Sequence, residues 1–237
     1  MTERVKTGIK GLDEMLHGGL IEGRPYLVSG GPGAGKTILC MQFLMEGAKN
    51  KEKGLYISLE EPAAELKKDM VSFGWDLQGV KIMDATQEAG SGIWLLKTDS
   101  VMSKPEFNVT NLIKVINDKL VEYKPKRIVI DSVTSIRLLY ERKTDMRRDL
   151  LSLINFLIKS GCTTMLTAET GSREGNSLME EFLTSGLIKL HSIETRGERI
   201  SAVSVDKMRG SDFDRHIRPM KITNDGIVVF SSESIFE

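Results

Sequence analysis

At 237 residues, with 40% hydrophobic and 28% charged side chains, the chain has a globular composition, enough for one large α/β domain or two small ones. Its 33 lysines and arginines balance 33 aspartates and glutamates, which counts against a permanently basic nucleic-acid surface, a local basic patch aside. The N-terminus carries charges with no apolar run behind them, and no stretch reaches the ~18 apolar residues of a membrane helix, so a soluble, cytoplasmic protein without membrane insertion is expected.

In chain order, 25–30 reads as a strand and 37–49 as a helix with Leu39, Phe43 and Leu44 on its apolar face. A strand over 54–59 leads into a helix over 62–73, and a third strand covers 80–85. The helix over 109–123 is stopped by Pro125. Residues 127–131 are strand-like, 146–159 helical and 163–168 strand-like again. This alternation predicts a mostly parallel sheet with helices on both faces. After residue 185 the pattern changes. Runs 187–194 and 199–207 alternate around Thr195-Arg196-Gly197-Glu198, and 217–223 pairs with 226–230 around Asn224-Asp225. The C-terminal fifth is therefore expected to extend the sheet with antiparallel strands. With no linker, low-complexity stretch or internal repeat, residues 1–237 are expected to form one domain. Cys40 and Cys162 lie in apolar surroundings without Cys-x-x-Cys spacing and read as buried free thiols of a reducing compartment.

The strongest chemical signal is Gly30-Gly31-Pro32-Gly33-Ala34-Gly35-Lys36-Thr37, which fits G-x-x-x-x-G-K-[ST] and lies between a predicted strand and a predicted helix. Its glycines let backbone N–H groups curl around phosphate oxygens, and the following helix offers its positive end. Lys36 would reach the β- and γ-phosphates of ATP, and the Thr37 hydroxyl would ligate Mg2+. Asp131 ends an apolar strand, where a carboxylate in a P-loop protein holds the magnesium shell; a simple strand-end cap is the alternative. Glu60 and Glu61 follow the strand 55–59. A carboxylate there can polarise an attacking water, or it can merely favour the N-terminus of the next helix, and the spacing leaves both open. Adjacent carboxylates raise each other's proton affinity, so Glu61 would tune Glu60.

These motifs occur in order with Thr7-Gly8-Ile9-Lys10-Gly11-Leu12-Asp13, Ser-Phe-Gly-Trp-Asp at 72–76 and Lys207-Met208-Arg209-Gly210. Together they resemble a single KaiC-type domain of the RecA superfamily over essentially the whole chain. The resemblance implies a RecA-like P-loop fold and Mg2+-dependent ATP hydrolysis, with ATP or ADP held between subunits of a homo-oligomeric ring, usually a hexamer. Such a ring acts as a switch or motor for a protein partner that the sequence does not name. One subunit would supply 30–38, ending at Ile38, together with Glu60, Glu61, Ser72 and Asp131, with Glu60 as general base. The neighbour would supply Lys207 and Arg209 near the γ-phosphate, with Met208, Ser211 and Asn224 around the nucleoside. Glu169 resembles the position that senses the γ-phosphate, and a plain strand-end charge fits it equally.

Two departures matter. Glu180-Glu181-Phe182 occupies the stretch where the autophosphorylating half of the family's clock proteins carries a Ser-Thr pair, as in the half that only hydrolyses ATP. There is also one domain copy where clock proteins have two, which does not support a circadian role. Recombinases of the superfamily bind DNA through loops after the strands ending near Asp131 and Glu169. Here those stretches hold Arg137, Arg142, Lys143, Arg147, Arg148 and Arg173, with Tyr140 as the accompanying aromatic and acidic residues interleaved, a pattern closer to a solvated helix face. Trp75 and Trp94 read as packing residues. The rival functions are an ATP-binding scaffold with negligible turnover and a DNA-stimulated recombinase-like ATPase; the intact Glu60-Glu61 pair favours hydrolysis.

Overall fold

A computed structural model describes residues 3–85, 109–137, 140–170, 179–195 and 197–235. Trp94, Arg173 and the turn residue Arg196 lie outside the described residues. The strands are β1 (Arg4–Val5), β2 (Leu20–Ile21), β3 (Pro25–Gly30), β4 (Gly54–Ser58), β5 (Val80–Asp84), β6 (Arg127–Asp131), β7 (Thr163–Glu169), β8 (Gly186–Thr195), β9 (Glu198–Met208), β10 (Arg218–Thr223) and β11 (Gly226–Val229). The helices are α1 (Lys10–Met15), α2 (Lys36–Lys49), α3 (Ala63–Ser72), α4 (Val109–Tyr123), α5 (Val133–Arg137), α6 (Lys143–Ser160) and α7 (Met179–Leu183).

Nine strands form one sheet in the order β11-β10-β9-β8-β3-β7-β6-β4-β5. From β8 to β5 the neighbours are parallel, and β9, β10 and β11 add the expected antiparallel extension. The central parallel strands are mainly apolar because successive side chains alternate between two covered faces. Tyr26, Val28, Tyr56, Val129, Met165 and Ile188 enter a core under α1, α2 and α3. Leu27, Leu55, Ile57, Ile128, Ile130 and Leu166 enter a second core under α4, α5 and α6.

The helices follow from the same logic. In α2, Leu39, Cys40, Phe43, Leu44 and Gly47 form the buried stripe. In α6 the stripe is Met146, Leu150, Leu153, Ile154 and Leu157, and Gly161 at φ 71° terminates the helix. This helix begins three residues before the first buried side chain, since its opening turn faces solvent and carries no apolar signal. The two-residue strands β1 and β2 and the short α1, α5 and α7 are absent from the sequence reading, because none is long enough to show a period. Asp13 in α1 is nonetheless specified: its buried carboxylate accepts from the Thr7 amide at 2.8 Å and the Thr7 hydroxyl at 2.9 Å. Trp75 is half-buried and stacks on Phe73 with ring centroids 4.9 Å apart, as expected of a packing residue. Cys40 and Cys162 are buried and unpaired, and burial pushes both thiols up, so they are inert.

One charged group holds the edge of the first core together. Arg127, at the start of β6, is 3% exposed, and its Nε donates to Glu52 at 2.6 Å. Its Nη1 donates to the carbonyls of Lys6 at 2.7 Å and Phe43 at 2.8 Å, and the guanidinium lies 4.8 Å from the Phe43 ring centroid. Replacing it with leucine leaves two carbonyls without their donor. Arg127→Leu should therefore cost about 2–4 kcal/mol in chemical denaturation. Glu52→Gln, at a partly exposed position, should cost well under half of that.

Candidate functional site

All the parallel strands end at one edge of the sheet, and a cleft of about 310 Å³ opens there. The loop from Gly30 to Gly35 leaves β3 and turns into α2. Gly33 at φ 72° and Gly35 at φ 95° occupy the left-handed region that side chains disfavour. Gly35 is also the N-cap of α2 and has no side chain to cap it, which leaves first-turn amides available to an anion. Lys36, 9% exposed, lies folded over the loop, its Nζ donating to the carbonyls of Gly30 and Gly31 at 3.0 Å each. It also stands 3.9 Å from a carboxylate oxygen of Glu169.

Asp131 gathers the cleft around itself. Thr37 donates its hydroxyl to Oδ2 at 2.8 Å, Tyr56 donates to the same oxygen, and Thr167 donates to Oδ1. Thr37 and Asp131, singled out by sequence as metal-binding oxygens, are thus in direct contact. Burial, and then the charge of Asp131, push the Tyr56 phenol well up, so it remains a donor. Glu60 is fixed by two hydroxyls: Ser132 and Ser135 both donate to Oε1, Ser135 at 2.7 Å. Glu61 differs. Its backbone is pinned by Ser58, and burial first, then the charges of Asp69, Asp131 and Glu65, raise its proton affinity. Glu169 ends β7, and its amide donates to Thr134 at 2.8 Å.

The lining accordingly includes Lys36, Thr37, Ile38, Pro32, Gly33, Gly35, Glu60, Glu61, Asp131 and Glu169. Tyr56, Thr167, Ser132 and Ser135 were not found from sequence. Tyr56, Thr167 and Ser132 are polar residues in or beside an apolar strand, where a buried hydroxyl signals a partner, while the partly exposed Ser135 gives no such signal.

Other expected site residues lie elsewhere. Ser72 is exposed at the end of α3, where its hydroxyl donates to the Asp69 carbonyl at 2.6 Å. Met208 pairs with Gly186 and Lys207 with Leu187, while Gly186 also pairs with Tyr26 at the start of β3. Four residues of strand, about 13 Å, separate this position from Gly30. Lys207 and Arg209 therefore sit toward the opposite end of the sheet from the loop of their own chain. There Lys207 Nζ donates to the carbonyls of Glu181 and Thr184 at 2.6 Å each and Phe182 at 3.3 Å, and Arg209 Nη2 donates to Phe182 at 2.8 Å. Burial, then the charge of Arg209, lower the proton affinity of Lys207. The Met208 side chain is buried in the first core, so only its backbone is available at that edge. The Ser211 hydroxyl accepts from Arg4 and donates to the Asp212 carbonyl at 2.8 Å.

Asn224 corrects the sequence reading, which grouped it with Lys207 and Arg209. It lies in the β10–β11 turn, two residues past Ile222, whose Cδ1 is 3.0 Å from where a Cβ on Gly35 would stand. The hairpin folds over its own loop, with Gln42 of α2 bridging to Ile227 at 2.7 and 3.3 Å. The basic stretch near α6 is interleaved with acids: Arg148 pairs with Asp149 at 3.2 Å and Asp145 at 3.5 Å, and Tyr140 donates to Asp149 at 2.7 Å. That arrangement fits a solvated helix face.

A glycine-rich loop between strand and helix, facing a strand-end aspartate across a mostly parallel sheet, defines a P-loop protein of RecA-like architecture. The family described as "ATPase: KaiC" matches residues 5–234, and the chain belongs to that family. A UPF0273 protein of Pyrococcus horikoshii is 38% identical over 237 residues, covering 97% of this chain and 95% of that protein. A circadian clock oscillator protein KaiC of Parathermosynechococcus lividus is 34% identical over 95% of this chain, which spans 42% of it. Among solved structures, a KaiC-like protein of Pyrococcus horikoshii matches with TM-score 0.82 and 34% identity, over 97% of this chain and 100% of that one.

The expectation that the loop holds phosphate is tested at Lys36. Lys36→Ala removes a charge-assisted contact, so Mg·ATP affinity should fall about 10- to 100-fold in calorimetry. Unchanged affinity would remove the loop from the binding site.

Proposed function

We propose that residues 1–237 form one KaiC-like ATPase domain that binds ATP with Mg2+ and hydrolyses it at a site shared between subunits of a homo-oligomeric ring. A hexamer is the family's usual form. The observation that carries the reading is a charge mismatch. Among the described residues the cleft presents four carboxylates, Glu60, Glu61, Asp131 and Glu169, against the single ammonium of Lys36. A triphosphate is polyanionic, so this lining suits it only when further positive charge is brought in. A divalent cation supplies part of that charge. The chain's own Lys207 and Arg209, at the far end of the sheet, suit delivery to the next subunit's nucleotide.

The residues fit magnesium. Thr37 and Asp131 offer hard oxygens already in contact, and among the described residues no cluster of three or more His, Cys, Asp or Glu could hold a metal. Two protein ligands, with phosphate and water completing the shell, is the pattern magnesium accepts. When bound, the ion neutralises charge on the phosphates. The protein's part is positional. The loop amides and Lys36 orient the phosphates. Glu60 has Oε1 occupied by Ser132 and Ser135, which fixes the carboxylate and leaves Oε2 to accept a proton from an attacking water. The raised proton affinity of Glu61 suits it to a supporting role. Lys207 and Arg209 of the adjoining subunit offset charge that builds on the transferring group. The buried, unpaired thiols fit a reducing compartment, and we assign the protein to the cytoplasm, acting as a switch or motor on a protein partner.

Glu60→Gln keeps the shape and hydroxyl contacts of the side chain and removes its basicity. Turnover should fall by about 10²-fold or more while ATP stays bound, measured by steady-state phosphate release and calorimetry. Parental turnover in Glu60→Gln together with loss in Glu61→Gln would reverse the two roles.

The shared site has its own test. Lys36→Ala and Arg209→Ala proteins, each defective alone, should regain partial activity once native mass spectrometry shows that they exchange subunits. Junctions joining an intact loop to an intact Arg209 arise only in mixed rings. Confirmed exchange without recovery would rule out a site completed in trans.

A further inference from the structure

The carbonyls that hold Lys207 and Arg209 belong to α7 and the turn after it, and α7 carries an unusual side chain. Glu180 is 3% exposed, and among the described residues neither carboxyl oxygen has a hydrogen-bond partner. It faces an apolar hollow lined by Val133 of α5, Leu150, Leu153 and Ile154 of α6, and Leu166 of β7. One residue further on, the Glu181 carbonyl accepts from Lys207; the Phe182 carbonyl accepts from Lys207 and Arg209, and the Thr184 carbonyl from Lys207. Thr184 is tied back to Glu180, its amide donating to the Glu180 carbonyl at 3.1 Å and its hydroxyl at 3.0 Å. The Arg209 amide donates to the Ser185 carbonyl at 2.8 Å. The inner face of α7 thus seats one acid between Met179 and Leu183, which pack on the second core, and its outer end grips two cations.

We propose that Glu180 is a positioning residue: seated in the apolar hollow, it fixes α7, and through the α7 carbonyls it sets the pose of Lys207 and Arg209. This deepens the shared-site reading above and rests on it for its effect on catalysis. An ionised carboxylate in that hollow would give up hydration without a side-chain donor to offset the loss, so seating favours the neutral acid. Burial raises its proton affinity; its own backbone amide and then Arg137 on α5 lower it, and Glu181 raises it further. The side chains that α6 and β7 place in the hollow are apolar. Ionisation drives Glu180 out toward water or toward Arg137, unseats α7 and loosens its grip on the cations. The stretch that carries phosphate acceptors in clock proteins carries here a proton-dependent latch.

The test compares the intact protein with Glu180→Gln, which stays neutral at every pH, and with Glu180→Met, should glutamine fold poorly. The sign follows from linkage. A buried acid holds its proton in the folded state after the unfolded chain has released it, so wild-type stability falls as pH rises from about 4.5 through the folded value, and the variants escape this loss. Between pH 4 and pH 9 the melting temperature of Glu180→Gln should gain about 3 °C or more on wild type. Hydrogen exchange reads the pose directly. At pH 9 the Thr184 and Arg209 amides should exchange at least about tenfold faster in wild type than in Glu180→Gln, with no difference at pH 4. Steady-state ATPase should show an alkaline fall in kcat, with KM for Mg·ATP little changed, that Glu180→Gln lacks. A melting difference independent of pH, or equal exchange at both amides at pH 9, overturns the proposal. The expected melting and exchange behaviour with an unaltered ATPase profile supports Glu180's hold on the cations and overturns their action across the subunit junction.

Discussion

Three hydroxyls, from Thr37 on α2, Tyr56 on β4 and Thr167 on β7, converge on the single carboxylate of Asp131 at the end of β6. The donors lie 94, 75 and 36 residues away in sequence, so the contact exists only when the parallel register is in place. A half-buried carboxylate is costly unless its lone pairs are filled, and charge-assisted bonds from three elements offset that cost. In return the carboxylate fixes the spacing between the loop and the strand that faces it. The positions of Thr37, of the residues after Asp131 and hence of Glu60 all depend on this one group. Since Ser132 follows Asp131 directly and Ser135 lies in the helix it begins, Glu60 is held by the same segment that carries Asp131.

Sheet polarity accounts for the rest of the layout. Parallel strands deliver their C-terminal ends to one edge, so the loop, Glu60, Asp131 and Glu169 meet there although they span most of the chain. Strand β9 runs the other way and must deliver its own end, with Lys207, to the opposite edge. An acidic cleft at one end and a cationic terminus at the other therefore follow from adding a single antiparallel strand to a parallel sheet. The long β8–β9 pairing makes this separation rigid, and α7 is the short element that meets the cations where they emerge.

Much of this was legible in the sequence because both covered faces of the sheet demand mainly apolar strands, and α4 matched its predicted limits at both ends. The loop and Asp131 were legible because their chemistry is local: consecutive residues set the turn, and one carboxylate ends one strand. The hydroxyls around Asp131 and Glu60 were not, since each answers to a residue far away in the chain. Tyr56 and Thr167 gave a partial signal, as polar groups inside buried strands that had to find partners. Asn224 was misplaced for a different reason. Its turn follows the cationic segment in sequence, but the hairpin folds back over Gly35, a return that strand periodicity does not encode. Glu180 was visible as a departure from the clock proteins, while its burial without a partner emerges only from the packing of α5, α6 and β7 around it.

The opposed placement of cleft and cations has a consequence for how copies of this chain can add to one another. A contact that joins one end of a subunit to the other end of the next is head-to-tail and cannot be satisfied by a two-fold pair. Under the proposed shared site, an open row always leaves one cleft without its cations and one set of cations without a cleft, whatever its length. Closing the circle completes the last site without adding a subunit. The gain from closure is largest, as a share of all sites, for small assemblies, so catalytic output per subunit would jump at closure instead of rising smoothly with each subunit added. Assembly size would then be read out by the chemistry itself, with the terminal subunit of every unclosed row silent.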